Sequence, residues 1–162
     1  MITVTPLKDA YKDNFIQLFN DYYAELDCGE DVPRLVNEYI LPDLLAGLIS
    51  IDLIKDGDVF AGFIIYQIDD IDNDWNFMEG WGDVREIYIT PSLRRTGLGK
   101  FILFTAEMKM KERGADKAYA LPTPQTEQFF IHCGYEKTEA YDDELECYVF
   151  EKHCLNPKCN CK

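Results

Sequence analysis

Apolar residues recur along this chain in two rhythms, and the alternation between them lays out an order of elements. Ile2 to Val4 alternates with a period of two, as a strand does, whereas Lys8 to Leu26 repeats Tyr11, Phe15, Leu18, Phe19 and Tyr22 at helical spacing. Pro33 to about Ala46 reads as a second helix, with Pro42 a point where it can break, because proline removes a main-chain donor and disfavours helix in the residue before it. LISIDLIK and VFAGFIIYQI are strands joined by DGD, a hairpin signal. An acid-rich connector, DDIDNDW, leads to a third hairpin strand, the one bearing Glu86. Beyond it come a Gly-punctuated loop, an apolar helix opening at KFILF, a short strand at KAYAL, a helix from Thr126 to Cys133 closed by Gly134, and a last antiparallel pair, YEKTEAY and LECYVFEK. Helices and a mainly antiparallel sheet result, with no repeat or long linker.

Composition narrows the picture. A chain of 162 residues with 47% hydrophobic and 14% aromatic content can bury a core of its own, so a single domain over 1–162 is expected, with 152–162 a Cys-rich tail. The longest apolar stretch, LLAGLISIDLI, is too short to span a bilayer, and MITVTPLKDAY lacks the basic and apolar pattern of a signal segment. The expectation is a cytoplasmic protein with no membrane role. A formal net charge of −14 repels nucleic acid and anionic surfaces, which argues against a nucleic-acid partner.

Against that acidity, one window stands apart. From Ile87 to Ala106 there is no Asp or Glu, although the chain carries 30 of them against 16 Lys plus Arg, and Arg94, Arg95 and Lys100 all fall inside. Ile87 and Ile89 alternate with Tyr88 and Thr90 as a strand until Pro91 removes a ladder donor. Gly97 and Gly99 let a ligand approach the main chain, and Phe101, Ile102, Leu103, Phe104 and Met108 begin an apolar helical face. The first amides of that helix have no intrahelical acceptor and sit at the positive end of its dipole, a favourable place for phosphate. A Walker loop is excluded because Phe101, not a hydroxyl residue, follows Lys100, and a dinucleotide fingerprint is excluded because RRTGLGKFI supplies only two glycines.

The remaining pattern, Arg94, two residues, Gly97, one residue, Gly99, resembles the Arg/Gln-x-x-Gly-x-Gly/Ala acyl-CoA loop of the GNAT superfamily of N-acetyltransferases. In that family the loop follows a strand ending in a proline-containing turn, as IYITPSLRRTGLG does, and a later helix leads into FYxxxGF, for which this chain reads FFIHCGYEK. The similarity runs roughly from Leu48 to Phe150. It implies a three-layer α+β fold, a mixed α/β arrangement with a mainly antiparallel, centrally splayed sheet flanked by helices. It further implies acetyl-CoA as acyl donor, held by Ile87, Tyr88, Ile89, Arg94, Arg95, Thr96, Gly97, Leu98, Gly99 and Lys100, and transfer to a primary amine by direct attack. The pantetheine arm would lie along Ile87 to Ile89, whose amides would serve the developing oxyanion.

By the same resemblance Glu86 occupies the position of a general base, with an ion pair to Arg85 or Arg113 as the alternative use of its carboxylate. The family's usual general acid is a tyrosine where this chain has Phe130, so Tyr135 is the candidate substitute, with Tyr119 and His132 behind it. Pro122, Thr123 and Pro124 replace the asparagine common at the start of that helix. A non-catalytic acyl-CoA-binding or interaction module of the same fold is the competing reading.

Two other groups carry chemistry. Asp69, Asp70, Asp72, Asp74 and Glu79, and Asp142, Asp143, Glu144 and Glu146, either attract a cationic acceptor or form solvated turns. The acceptor, a small amine or a peptide, and the oligomeric state, a homodimer included, are open. His153, Cys154, Cys159 and Cys161 have metal-binding chemistry but no standard spacing, so no metal is assigned, and a reducing cytosol would leave the thiols unpaired.

Overall fold

The computed structural model describes residues 1–73 and 76–156. Its elements follow the hydrophobic rhythm: β1 (Ile2–Pro6), α1 (Lys12–Leu26), α2 (Val32–Leu35), α3 (Leu41–Leu45), β2 (Ser50–Asp56), β3 (Val59–Ile68), β4 (Gly82–Ile89), α4 (Leu98–Glu112), β5 (Ala118–Ala120), α5 (Glu127–His132), β6 (Glu136–Asp142) and β7 (Cys147–Lys152). Among the described residues the strands form one seven-stranded sheet in the order β1-β2-β3-β4-β5-β7-β6. The β1–β2, β5–β7 and β6–β7 pairs are antiparallel, and β4–β5 is parallel. The mixed α/β fold with a mainly antiparallel sheet expected from the sequence is therefore the one observed.

Pro42 does not break the second helical region. Leu35, Ile40 and Leu41 all keep right-handed helical angles, and the chain runs from α2 through a π-helical turn, Val36–Ile40, into α3. The Leu41 amide reaches back to Val36 O, five residues away. Proline lacks a donor and its ring crowds the carbonyl four residues back; a widened turn relieves both.

Residues 1–65 with 86–103 form one compact unit, and 66–85 with the described residues from 104 onward form a second. The first has an aromatic core. Phe15, Phe19 and Phe63 are fully buried, with ring centroids 5.4 to 5.6 Å apart, and Tyr22 and Tyr88 pack on them. Ile51, Leu53, Ile65, Val36 and Ile40 close it. Gly62 on β3 is required here, since a Cβ would lie 2.0 Å from the Tyr88 carbonyl oxygen, which is backbone and has little freedom to retreat.

The second unit is organised around buried charged side chains, Asp69 and the Lys152–Glu107 pair foremost. Asp69, at the end of β3, is buried and accepts hydrogen bonds from Tyr119 Oη (2.7 Å), Gln67 Nε2 (2.9 Å) and the amides of Phe77 (2.8 Å) and Met78 (2.9 Å). Four donors make this carboxylate the organiser of the β3–β4 connection. Lys152 on β7 is buried as well, and donates to Glu107 Oε2 (2.8 Å) on α4 and to Cys133 O (2.9 Å). Burial raises the Glu107 pKa above the ordinary carboxylate value while Lys152 opposes the rise.

β5 is short, and its register with β4 covers only Gly82, Asp83 and Val84. β4 continues to Ile89 past the end of that ladder. Among the described residues no helix is long and apolar enough to cross a membrane.

Lys152→Met should cost about 3–5 kcal/mol in urea unfolding at pH 8, because it strands a buried carboxylate. The sign of its pH dependence follows from Glu107. A carboxyl whose folded pKa lies above its unfolded value favours the folded state below the unfolded pKa and loses that contribution as pH rises through the folded one. The deficit relative to wild type should therefore shrink between pH 8 and pH 5, and Lys152→Met/Glu107→Gln should recover most of it.

Candidate functional site

β4 and the turn after it make one continuous structure. The strand ends at Ile89, a single 3-10 turn covers Pro91–Leu93, and the Thr96 hydroxyl donates to Leu93 O at 2.6 Å to pin the bend. Arg95 and Gly97 then have positive φ, 64° and 89°, so the peptide plane reverses twice in three residues. Such reversals turn successive amides toward one concave side. A Cβ on Gly97 would meet no atom within 4 Å, which leaves open space over this backbone.

Helix α4 begins directly at Leu98, and its first intrahelical bond is Phe101 N to Gly97 O at 3.0 Å. The amides of Leu98, Gly99 and Lys100 thus precede the first intrahelical donor. The helix start is anchored by the buried Leu98, Ile102 and Leu103, while Arg95, Thr96, Gly97 and Lys100 are exposed. Main-chain donors, a positive helix end and flanking cations are thus grouped here, an arrangement with the chemistry to favour an anion.

Arg94 ties that turn to the rest of the unit. Its guanidinium is committed to the protein: Nε donates to Ile89 O at 2.8 Å, and Nη2 lies 2.7 Å from both oxygens of Glu25 at the end of α1. It also stacks 5.6 Å over the Tyr88 ring. In this structure the side chain ties the turn to β4 and α1, leaving its main chain to face a ligand.

Tyr88 divides its roles similarly. Its ring is buried in the aromatic core and its hydroxyl donates to Glu25 Oε1 at 3.3 Å. Burial, then Glu25 and Asp21, push its pKa up, with Arg94 opposing. Ile87 and Ile89 point the other way and are half-buried.

Glu86 is half-buried on the same face of β4 as Tyr88. Tyr23 Oη donates to its Oε1 at 3.2 Å, and Tyr22 is a second phenol whose ionisation the Glu86 charge opposes. Both tyrosines titrate well above ordinary phenols, first because they are buried and then because the Glu86 charge opposes ionisation. Arg85 is directed to Gln67 Oε1 instead, at 3.2 Å. Tyr22, Tyr23 and Glu25 are thus site residues that the sequence reading missed. Tyr22 appeared there only as part of the apolar stripe of α1, and nothing local distinguished Tyr23 and Glu25 beside it.

Tyr135 belongs to the second unit, where it is 2% exposed and packs edge-on to Phe130 with the Lys152 ammonium 5.5 Å from its ring centroid. Its hydroxyl is buried beside Glu107, and burial with the Glu107 charge raises its pKa well above that of a free phenol. A sealed and weakened acid is poorly suited to protonate a leaving group. His132 is exposed, with Nδ1 2.6 Å from Gln128 O. The acidic runs also resolve into structure: Asp69 is buried, Asp70 accepts from Asp72 N, and Asp142 accepts from Glu144 N and Leu145 N to close the β6–β7 turn. His153 pairs with Glu151 at 2.9 Å. Cys154 is disulfide-bonded, which departs from the expectation of unpaired thiols; Asp74, Cys159 and Cys161 lie outside the described residues.

A model of the acetyltransferase (GNAT) family matches residues 8–135. Solved structures share the fold at low identity. The PaiA N-acetyltransferase of Thermoplasma acidophilum, in complex with coenzyme A, superposes with a TM-score of 0.71 at 16% identity, covering 94% of this chain and 99% of that one. An acetyltransferase of the GNAT family from Staphylococcus aureus Mu50 reaches 0.75 at 16% identity over 96% and 100%. An acetyltransferase with acetyl-CoA from Clostridium acetobutylicum reaches 0.74 at 14% identity over 88% and 95%. No curated protein sequence matches significantly.

The tie between Glu25 and Arg94 is partly exposed, 40% and 42%, so its worth is modest. A double-mutant cycle with Glu25→Gln and Arg94→Ala should give a coupling of about 0.5–1 kcal/mol in urea unfolding, falling as salt is added. A coupling of zero at low salt would mean that the pair does not hold the turn.

Proposed function

Because this chain belongs to the GNAT family of acetyltransferases, we propose that it moves the acetyl group of acetyl-CoA onto a primary amine by direct attack within a ternary complex, with Glu86 as general base. The observation that carries this reading is the continuous run from Glu86 to Lys100. It places a carboxylate on β4, then peptide groups beyond the β5 register, then a turn with two positive-φ residues that opens into helix amides preceding the first intrahelical donor.

Acetyl-CoA supplies the activated acyl group and a thiolate leaving group. Its diphosphate is suited to the amides from Gly97 to Lys100, with Arg95 and Lys100 adding charge and the open space over Gly97 admitting it. The peptide groups of Ile87, Tyr88 and Ile89 are suited to the pantetheine arm, which carries amides of its own and can pair like an added strand. Neighbours of the same fold hold coenzyme A or acetyl-CoA, which supports the same cosubstrate here.

An alkyl amine with pKa about 10.4 is less than about 0.1% neutral at pH 7, so a proton acceptor is needed beside the nucleophile. Glu86 takes that proton. On the other side of the reaction a thiolate of pKa about 8.5 departs with little assistance, so Phe130 and the sealed Tyr135 do not block turnover. We place the activity in the cytoplasm, where acetyl-CoA and free amines coexist. Binding of acyl-CoA without transfer is the second reading, favoured by the missing hydroxyl at position 130.

The test is thiol release from acetyl-CoA across a panel of amines, peptides and aminoglycosides. Release with at least one acceptor supports transfer, whereas calorimetric binding of acetyl-CoA with no thiol from any acceptor favours the binding module. Glu86→Gln should lower kcat/KM by about 10²-fold or more while leaving acetyl-CoA affinity within about twofold. Gly97→Ala, forced to keep φ near 89°, should weaken acetyl-CoA by roughly tenfold, the equivalent of about 1–2 kcal/mol of backbone strain.

A further inference from the structure

A phenol at the end of α1 grips the Glu86 carboxylate of β4: Tyr23 Oη donates to Glu86 Oε1 at 3.2 Å. Tyr22, adjacent in sequence, packs edge-on against Tyr23, and the Glu86 charge opposes its ionisation. Neither ring is free to leave. Tyr23 packs 4.8 Å from Phe19, Tyr22 packs 5.7 Å from Phe63 and 5.6 Å from Tyr88, and the two tyrosines meet edge-on at 5.1 Å.

We infer that Tyr23 is a positioning residue for the transfer reaction, with Tyr22 packed against it: the Tyr23 hydroxyl fixes the Glu86 carboxylate in orientation through its bond to Oε1. This inference rests on the reading of Glu86 as general base. The donor is dependable because burial, and then the Glu86 charge, oppose its ionisation, so at any working pH it has a hydrogen to donate. A carboxylate accepting such a bond is stabilised in its charged form. The groups facing this cluster are Cys28 and Glu30 from the segment after α1, and the apolar Phe63 ring from β3. From β4, Tyr88 turns its hydroxyl to Glu25, with Asp21 and Arg94 around it.

Tyr-to-Phe substitutions remove the hydroxyls and keep the rings, so packing survives. A carbon-13 glutamate titration by NMR, with the Glu86 carboxyl assigned by its loss in Glu86→Gln, reads the effect without any acceptor. Tyr23→Phe should move the Glu86 midpoint upward by about half a pH unit or more, Tyr22→Phe by less, and the double variant at least as far as Tyr23→Phe. In turnover, the acidic limb of kcat/KM should rise by the same amount in each variant, and the substitutions should add nothing in a Glu86→Gln background. A midpoint unmoved in the double variant would reduce the tyrosines to packing residues and overturn the proposal while leaving the base intact. A Glu86→Gln enzyme with full rate would instead remove the base, and this proposal with it.

Discussion

Phe15, Phe19 and Tyr22 of α1 lock onto Phe63 of β3 and Tyr88 of β4, and this aromatic contact decides where every candidate functional group in the first unit stands. Burying three phenylalanine side chains completely is worth about 2–3 kcal/mol each, and edge-to-face geometry adds a smaller amount. The consequence for the site exceeds the energy. With α1 held at this rotation, its last turns deliver Tyr23 to Glu86, and Glu25 to both Tyr88 and Arg94. Gly62 belongs to the same constraint, since the close approach of β3 to the Tyr88 carbonyl leaves no room for a side chain.

Charge is distributed with the same economy. A protein of net charge −14 keeps a stretch free of acids from Ile87 to Ala106, and then supplies one acid, Glu25, from a distant helix to the first arginine of that stretch. What is left for a ligand is the main-chain donors together with the exposed Arg95 and Lys100. Amides fixed by the turn have no rotamers to freeze, so they offer an anion preorganised donors at lower entropic cost than long cationic side chains.

What could be read from the sequence follows from what is local. β4, the turn and α4 were legible because periodicity, Pro91 and the Gly97–Gly99 pair act within a few residues, and the family resemblance rests on that same window. The partners of its side chains were not. Arg94 meets Glu25 from 69 residues away, and no local feature distinguishes that glutamate from the 29 other acids of the chain. Asp69 reads as one more acid in DDIDNDW, yet it is the member that four donors bury. Tyr135 invited a catalytic reading because a hydroxyl near Phe130 was wanted, but the burial that seals it against Glu107 depends on β7 supplying Lys152 from farther along the chain. Pro42 failed as a break because the helix could widen rather than stop, a choice made by the packing of Val36 and Ile40 in the core.

The Tyr23 hydroxyl on Glu86 also bears on how the proton moves. Between an ordinary carboxyl and an alkyl ammonium lie about six pKa units, or about 8 kcal/mol, and a donor that favours the carboxylate widens the gap. Glu86 therefore holds the cationic amine beside the thioester and takes its proton only in a small fraction of encounters. The neutral amine so formed attacks with its lone pair, and the nitrogen, acidic once the carbon–nitrogen bond has formed, gives its second proton to water. Orientation then matters more than basicity. Tyr23 occupies Oε1 from a ring that is itself wedged against Phe19, an arrangement that supplies fixed direction at the expense of proton affinity.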